Sequence, residues 1–140
     1  MNALGLMVAG RINAHLVPRF GPEFLFRRAM RGTATLATTL FIVALLGRGG
    51  FWALAIPLFL FVSLLGFNFA NGFALALAPY GASAGTAAAL YGTLQFTFAG
   101  LAGAAVSALY DGTARPMAGL MSALTLAAVV VYRALRTGID

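Results

Sequence analysis

The sequence predicts an all-α membrane protein with about five transmembrane helices, the first of them truncated. One observation is a run of 60 residues, 51–110, without a single acidic or basic side chain, although roughly 20 apolar residues are enough to cross a bilayer. The second observation is the composition, which is 61% hydrophobic and 9% charged, with a mean hydropathy of +0.94. A soluble chain of 140 residues could not bury so much apolar surface in one core.

The predicted elements follow from the interruptions of the apolar sequence. Residues beyond Gly10 are too polar to continue a membrane span, so the first apolar segment resembles the second half of a helix. Pro18 and Pro22 are helix breakers, and they predict a loop before the next span. The predicted spans cover residues 1–16 (partial), 32–46, 51–78, 84–110 and 116–132, with a basic cytoplasmic loop at 17–31.

The uncharged run divides at one place. The segment Pro79-Tyr80-Gly81-Ala82-Ser83 is rich in turn-forming residues, so it predicts a tight turn between two membrane helices. Pro116 suits the first turn of the last helix, because its missing N–H would have no partner there anyway. Arg133 and Arg136 close that helix.

The basic residues predict an orientation. All nine are Arg; six lie in segment 17–31 and in the C-terminal tail, while Arg48 and Arg115 lie in turns on the opposite side. Basic residues are enriched on the cytoplasmic side, so the loop and the C-terminus are expected there, in the inner (plasma) membrane. The net charge of +6 does not indicate a nucleic-acid partner, because these Arg residues flank spans and form no solvated basic face.

The chain offers few groups for catalysis. It contains one His, three acidic residues and no Cys, which do not readily provide a metal site or an acid–base pair. Neither an enzyme nor a bound cofactor is expected.

Polar side chains within the predicted spans are the candidates for function. Asn68 and Asn71 are three residues apart and share one helix face. Gln95 lies near the middle of the next span, and Tyr91 precedes it by one turn. A buried amide in hydrocarbon needs a partner, so these residues either form interhelical hydrogen bonds or line a wet substrate path. The sequence leaves both interpretations open.

Small residues recur along the fourth span. Ala99, Gly103 and Ser107 follow each other at intervals of four residues, a spacing that lets two helices approach closely. This row predicts a helix-packing face.

Two segments together resemble the Bcr/CflA drug-resistance transporters of the major facilitator superfamily. They are Gly66-Phe-Asn-Phe-Ala-Asn-Gly-Phe-Ala-Leu-Ala-Leu-Ala-Pro79, and Ala84-Gly-Thr-Ala-Ala-Ala-Leu90 followed by Gln95. Asp111-Gly-Thr113 with Pro116 and Met117 is similar to the last outer turn of that family. Ala70 replaces the proline of the family's Pro-Asn pair. Where the superfamily's loop often reads Asp-Arg-x-Gly-Arg, only Arg19 and Gly21 remain.

The resemblance implies helices eight to twelve of a twelve-helix bundle, with the N-terminal helices missing. It implies proton-coupled efflux of small lipophilic or amphipathic, drug-like compounds by alternating access, an antiport mechanism. Asn71 and Gln95 would face the substrate path, with Asn68 and Tyr91 as further candidates. The alternative is a small membrane-embedded structural or assembly subunit, which acts by packing its helices against a larger partner chain.

Overall fold

The computed structural model describes residues 2–47 and 50–137, and these residues form an all-α fold without strands, as predicted. The helices are α1 (Asn2–Phe20), α2 (Pro22–Leu46), α3 (Gly50–Leu77), α4 (Ala84–Ala108) and α5 (Arg115–Thr137), with a short 3-10 helix at Ala78–Ser83. Arg48, from the predicted turn between the second and third spans, lies outside the described residues, as does Asp140.

Three helical stretches are long and apolar enough to cross a membrane: Pro22–Leu46, Gly50–Ala108 and Arg115–Arg136. The second of these contains 59 residues, which as one straight helix would be about 90 Å long, far longer than a bilayer is thick. The backbone at Gly81 is not helical, with φ 36° and ψ −109°. The stretch is therefore two helices, α3 and α4, which meet at the predicted turn.

The prediction of a loop at 17–31 is wrong, because this segment is helical except at Gly21. Pro18 lies inside the last turn of α1, and Pro22 begins α2, where a proline lacks no needed hydrogen bond. Gly21 has φ 76° and ψ 155°, a conformation that is essentially restricted to glycine. A single residue thus reverses the chain, and α2 begins ten residues earlier than the predicted span.

Helix α2 packs against both α3 and α5, and α1 packs mainly against α3. Contacts show the directions: Gly5 and Asn13 of α1 meet Ser63 and Asn71 of α3, so these two helices are parallel. Gly32 of α2 lies against Leu64 of α3, and Phe26 of α2 lies against Gly72 of α3, so these two helices are antiparallel. The consecutive helices α1, α2 and α3 therefore alternate in direction, as expected for successive crossings of a bilayer.

The apolar core lies at one end of the bundle, between α2, α3 and α5. Leu40 and Ala118 are fully buried there and contact Ala44. Their neighbours are partly buried apolar side chains: Phe41, Leu54, Leu58, Ala114 and Met121. Because lipid is as apolar as these side chains, close packing rather than exclusion of water holds this region together.

Arg115 joins the end of α2 to the start of α5. Its Nε lies 3.4 Å from the carbonyl oxygen of Ala44, and a terminal nitrogen lies 3.5 Å from that of Leu45. A cation on the last carbonyls of a helix complements the negative end of the helix dipole.

The turn before Arg115 is organised by Asp111. The Thr113 hydroxyl donates a hydrogen bond to its carboxylate at 2.6 Å, and the Thr113 N–H donates another at 2.9 Å. These bonds lower the pKa of Asp111, because they favour the ionised form. This support for the turn is present at neutral pH and disappears as the pH falls through the lowered pKa.

Candidate functional site

The most buried polar contact in the described residues joins α1 to α3. Asn71 is 1% exposed and Asn13 is 5% exposed. The Asn71 amide nitrogen donates to Asn13 Oδ1 at 2.7 Å and to the Phe67 carbonyl at 2.8 Å, while its oxygen accepts from Asn13 Nδ2 at 3.5 Å. The Asn71 amide is thus closed off by protein partners, and this arrangement favours interhelical hydrogen bonding over direct contact with a substrate.

A second polar contact joins α3 to α2, one turn away from the asparagine pair. Asn68 Nδ2 donates to the Thr33 hydroxyl at 3.3 Å, and that hydroxyl donates to the Met30 carbonyl at 2.9 Å. Asn68 Oδ1 is buried and has no hydrogen-bond partner within the described ranges. A buried acceptor without a partner destabilises by about 1–3 kcal/mol, so this atom is a place for a water molecule or a ligand donor.

Tyr91 on α4 reaches the same part of α3. Its ring packs edge-on against Phe73, with centroids 5.4 Å apart at 84°, and its hydroxyl lies beside Gly72, next to Asn71 in sequence. Tyr91 also lines a cavity of about 340 Å³ near the α3–α4 turn. The other lining residues are mostly apolar: Ala76, Leu77, Tyr80, Ser83, Thr86, Ala87, Leu90 and Leu94.

Gln95 lies one turn beyond Tyr91 on the same face of α4 and is half-buried. Its amide forms no hydrogen bond with any residue that the structure describes. An amide in a membrane helix needs a partner, so this side chain is suited to a contact that the five helices do not themselves supply. The polar groups of Gln95 and Tyr91 therefore have no hydrogen-bond partners among the described residues, whereas those of Asn71 are paired.

The row of small residues on α4 points away from the other helices. Ala99, Gly103 and Ser107 are all exposed, and a Cβ atom added at Gly103 would meet nothing within 4 Å. A packing role for this row remains a prediction, and its partner would have to lie outside the described residues.

The two residues left from the superfamily's loop motif lie at the junction of α1 and α2. Arg19 is exposed in the last turn of α1, and Gly21 forms the break itself. The glycine has a local structural reason, since its backbone conformation excludes other residues.

Sequence reasoning missed Asn13 and Thr33, the partners of the two predicted asparagines. The signal for Asn13 was its spacing: it follows Gly5 and Ala9 at intervals of four residues and so shares their face of α1. Arg11 obscured this pattern by indicating that the span had already ended. A third polar pair, Thr38 of α2 and Ser122 of α5, lies 3.3 Å apart and was also not predicted.

These observations define a multi-pass helical membrane protein whose spans are joined by buried polar contacts. Among the residues that the structure describes, no three His, Cys, Asp or Glu side chains group closely enough to hold a metal ion. No protein-family profile matches the sequence, and no solved structure matches it.

The chain is 31% identical over 132 residues to a bicyclomycin resistance protein homolog of Haemophilus influenzae. The match covers 94% of this chain but 33% of that relative, so the chain spans about a third of its length. This similarity confirms the resemblance to the C-terminal part of the Bcr/CflA drug-resistance transporters that the sequence motifs indicate.

Proposed function

We propose that this chain is the C-terminal part of a proton-coupled multidrug efflux transporter of the major facilitator superfamily. The intact transporter would export small lipophilic or amphipathic compounds by alternating access, in which two helical bundles rock about a central site. The observation that carries the proposal is the 31% identity, over nearly the whole chain, to a bicyclomycin resistance protein homolog.

Within this chain, Gln95 and Tyr91 are proposed to line the substrate path. Both lie on one face of α4, and both have polar groups without partners among the described residues. Asn68 supports the same role, because its buried Oδ1 has no hydrogen-bond partner among the described residues. Asn71 contributes by holding α1 against α3 through its bond to Asn13.

Proton coupling would have to come from the rest of the transporter. Glu23 is the only acidic residue on a described helix, and it is exposed in the first turn of α2. There it lies 3.5 Å from Arg136. No buried carboxylate is therefore available in these five helices to carry a proton through the membrane.

We propose that the end of the bundle with this ion pair faces the cytoplasm of an inner membrane. The Glu23–Arg136 contact brings the start of α2 and the end of α5 together. Five of the nine Arg lie in these two regions, and a sixth, Arg19, lies at the adjoining end of α1. Reporter fusions after Asp140 and near Glu23 are expected to give cytoplasmic signals. A periplasmic signal at either site would contradict the topology.

A chimera of this chain with the related protein tests the transport function. The matching 132 residues of the Haemophilus influenzae relative would be replaced by those of this chain, and bicyclomycin resistance and membrane abundance would both be measured. The chimera is expected to confer resistance, whereas the 140-residue chain alone is expected to confer none. A chimera that accumulates in the membrane without resistance would contradict the proposal.

Gln95→Leu in the chimera is expected to reduce resistance at unchanged membrane abundance. The matched control is Thr97→Leu, since Thr97 is exposed on the opposite side of α4 and its hydroxyl bonds only to the Thr93 carbonyl. If both substitutions act alike, or if resistance falls only in proportion to abundance, Gln95 does not line a path.

The outward row Ala99, Gly103 and Ser107 on α4 favours one alternative, a small subunit that packs against a larger membrane partner. The coding DNA upstream of Met1 distinguishes the two functions. A transporter predicts further membrane helices there, in frame or displaced by a frameshift. A packing subunit predicts an unrelated upstream sequence and copurification with a larger membrane protein.

A further inference from the structure

A basic groove of about 530 Å³ lies between α2 and α5, where α2 begins and α5 ends. Two Arg residues line it from each helix: Arg27, Arg31, Arg133 and Arg136. Arg27 and Arg31 are one helical turn apart, an arrangement in which like charges repel. Four guanidinium groups around one groove therefore favour a bound anion.

Among the residues that the structure describes, Glu23 is the acidic side chain near this groove. Glu23 lies 3.5 Å from Arg136, and both side chains are about half exposed, so the ion pair contributes little. Asp111 lies in the turn between α4 and α5, at the opposite end of the bundle. A guanidinium group matches the geometry of a phosphate, with which it forms paired hydrogen bonds.

The remaining wall of the groove is suited to a lipid. Met30 and Val129 provide apolar surface in the groove, and Tyr132 also lines it. The Tyr132 ring packs edge-on against Phe26 at 5.7 Å. Tyrosine is enriched at the level of lipid headgroups, and basic pockets between membrane helices bind anionic headgroups.

We propose that this groove binds an anionic phospholipid, with its phosphate between the four Arg residues and an acyl chain along Met30 and Val129. The proposal needs only that the helices lie in a membrane, so it is independent of the transport function. A free phosphate ion would use the Arg residues alone and would gain nothing from the apolar wall.

Native mass spectrometry of the purified 140-residue chain in detergent tests this proposal. The chain would be titrated with phosphatidylglycerol, with phosphatidylcholine, and with phosphatidylglycerol in the presence of equimolar inorganic phosphate. Phosphatidylglycerol is expected to be retained at least about tenfold more tightly than phosphatidylcholine, because each basic residue that contacts the headgroup raises the affinity a few-fold. Inorganic phosphate at the lipid's concentration should not displace it.

Two double variants, each lacking two positive charges, test whether the lipid binds in the groove. Circular dichroism would check that both keep their helix content. Arg27→Gln with Arg31→Gln is expected to weaken phosphatidylglycerol retention about 25-fold, since each basic residue near the headgroup contributes about fivefold. Arg11→Gln with Arg19→Gln removes the same charge from exposed positions outside the groove and should have little effect.

Three outcomes would overturn the proposal. Equal retention of the two lipids by the unmodified chain would show that the groove does not select anionic headgroups. Displacement by equimolar inorganic phosphate would show that the apolar wall plays no part. Equal loss of retention in the two double variants would show that the effect is one of overall charge. The first two comparisons need no variant, so they hold even if the groove variant fails to fold.

Discussion

Asn71→Leu is expected to destabilise this chain by about 1–3 kcal/mol, the usual effect of leaving a buried polar group without its partner. The substitution removes the 2.7 Å bond to Asn13 Oδ1 and leaves the Asn13 amide enclosed at 5% exposure. Leucine is close to asparagine in size, so lost hydrogen bonding rather than lost volume causes the effect. The measurement is the midpoint of unfolding in mixed micelles titrated with sodium dodecyl sulfate.

Two controls isolate the asparagine pair. Asn13→Leu combined with Asn71→Leu removes both amides and is expected to recover part of the stability, because no polar group is then left unpaired. Gln95→Leu is expected to leave the midpoint unchanged, since that amide has no partner in the described residues. A stable Asn71→Leu chain would mean that the α1–α3 pair does not hold these helices together.

Gly66→Leu is expected to separate α1 from α3 and to lower the yield of folded chain in detergent. A Cβ atom at Gly66 would lie 3.3 Å from the Ala9 Cβ and 3.4 Å from the Leu6 carbonyl oxygen. The second contact is with backbone, which cannot turn aside as a side chain can. On the neighbouring turns, a Cβ atom at Gly5 would collide with the Ser63 hydroxyl. Overpacking of this kind destabilises by about 1–3 kcal/mol or more.

Gly103→Leu is the matched control, because it is the same substitution on another membrane helix. It is expected to leave the monodisperse fraction in size-exclusion chromatography unchanged for this chain, as nothing lies within 4 Å of an added Cβ. If Gly103→Leu lowered the monodisperse fraction more than Gly66→Leu, the packing of α1 against α3 would be contradicted. The close helix contact would then lie at the row of Ala99 and Ser107.

These two glycines show how far small-residue spacing can be interpreted. Sequence spacing pointed to Gly103, where the four-residue interval is regular. Yet an added Cβ atom would meet a neighbouring helix at Gly5 and Gly66, between α1 and α3, and would meet nothing at Gly103. Gly5, Ala9 and Asn13 have the same interval. Spacing shows that a helix is able to pack closely, but the position of a neighbouring helix decides whether it does.

The residues predicted to line the substrate path also differ in whether a neighbouring helix pairs with them. Asn71 and Gln95 are both amides in uncharged helices, and both match the transporter resemblance. Only the structure distinguishes them: the Asn71 amide is hydrogen-bonded to Asn13, whereas the Gln95 amide has no hydrogen-bond partner among the described residues. Thr33 of α2 likewise pairs with Asn68. Helix α2 begins at Pro22, earlier than the predicted span.

The sequence alone predicts a helical membrane protein, the position of the α3–α4 turn, and the transporters that the chain resembles. Long uncharged segments, turn-forming residues and a linear motif are local properties, so they can be recognised without knowing the fold. The tertiary structure alone decided which polar side chains are paired, which small residues pack and that Gly21 reverses the chain within one residue. The physical reason is that α3 and α4 are apolar on every side. In lipid such helices have no polar face to mark the outside, so only the neighbouring helices decide which side is buried.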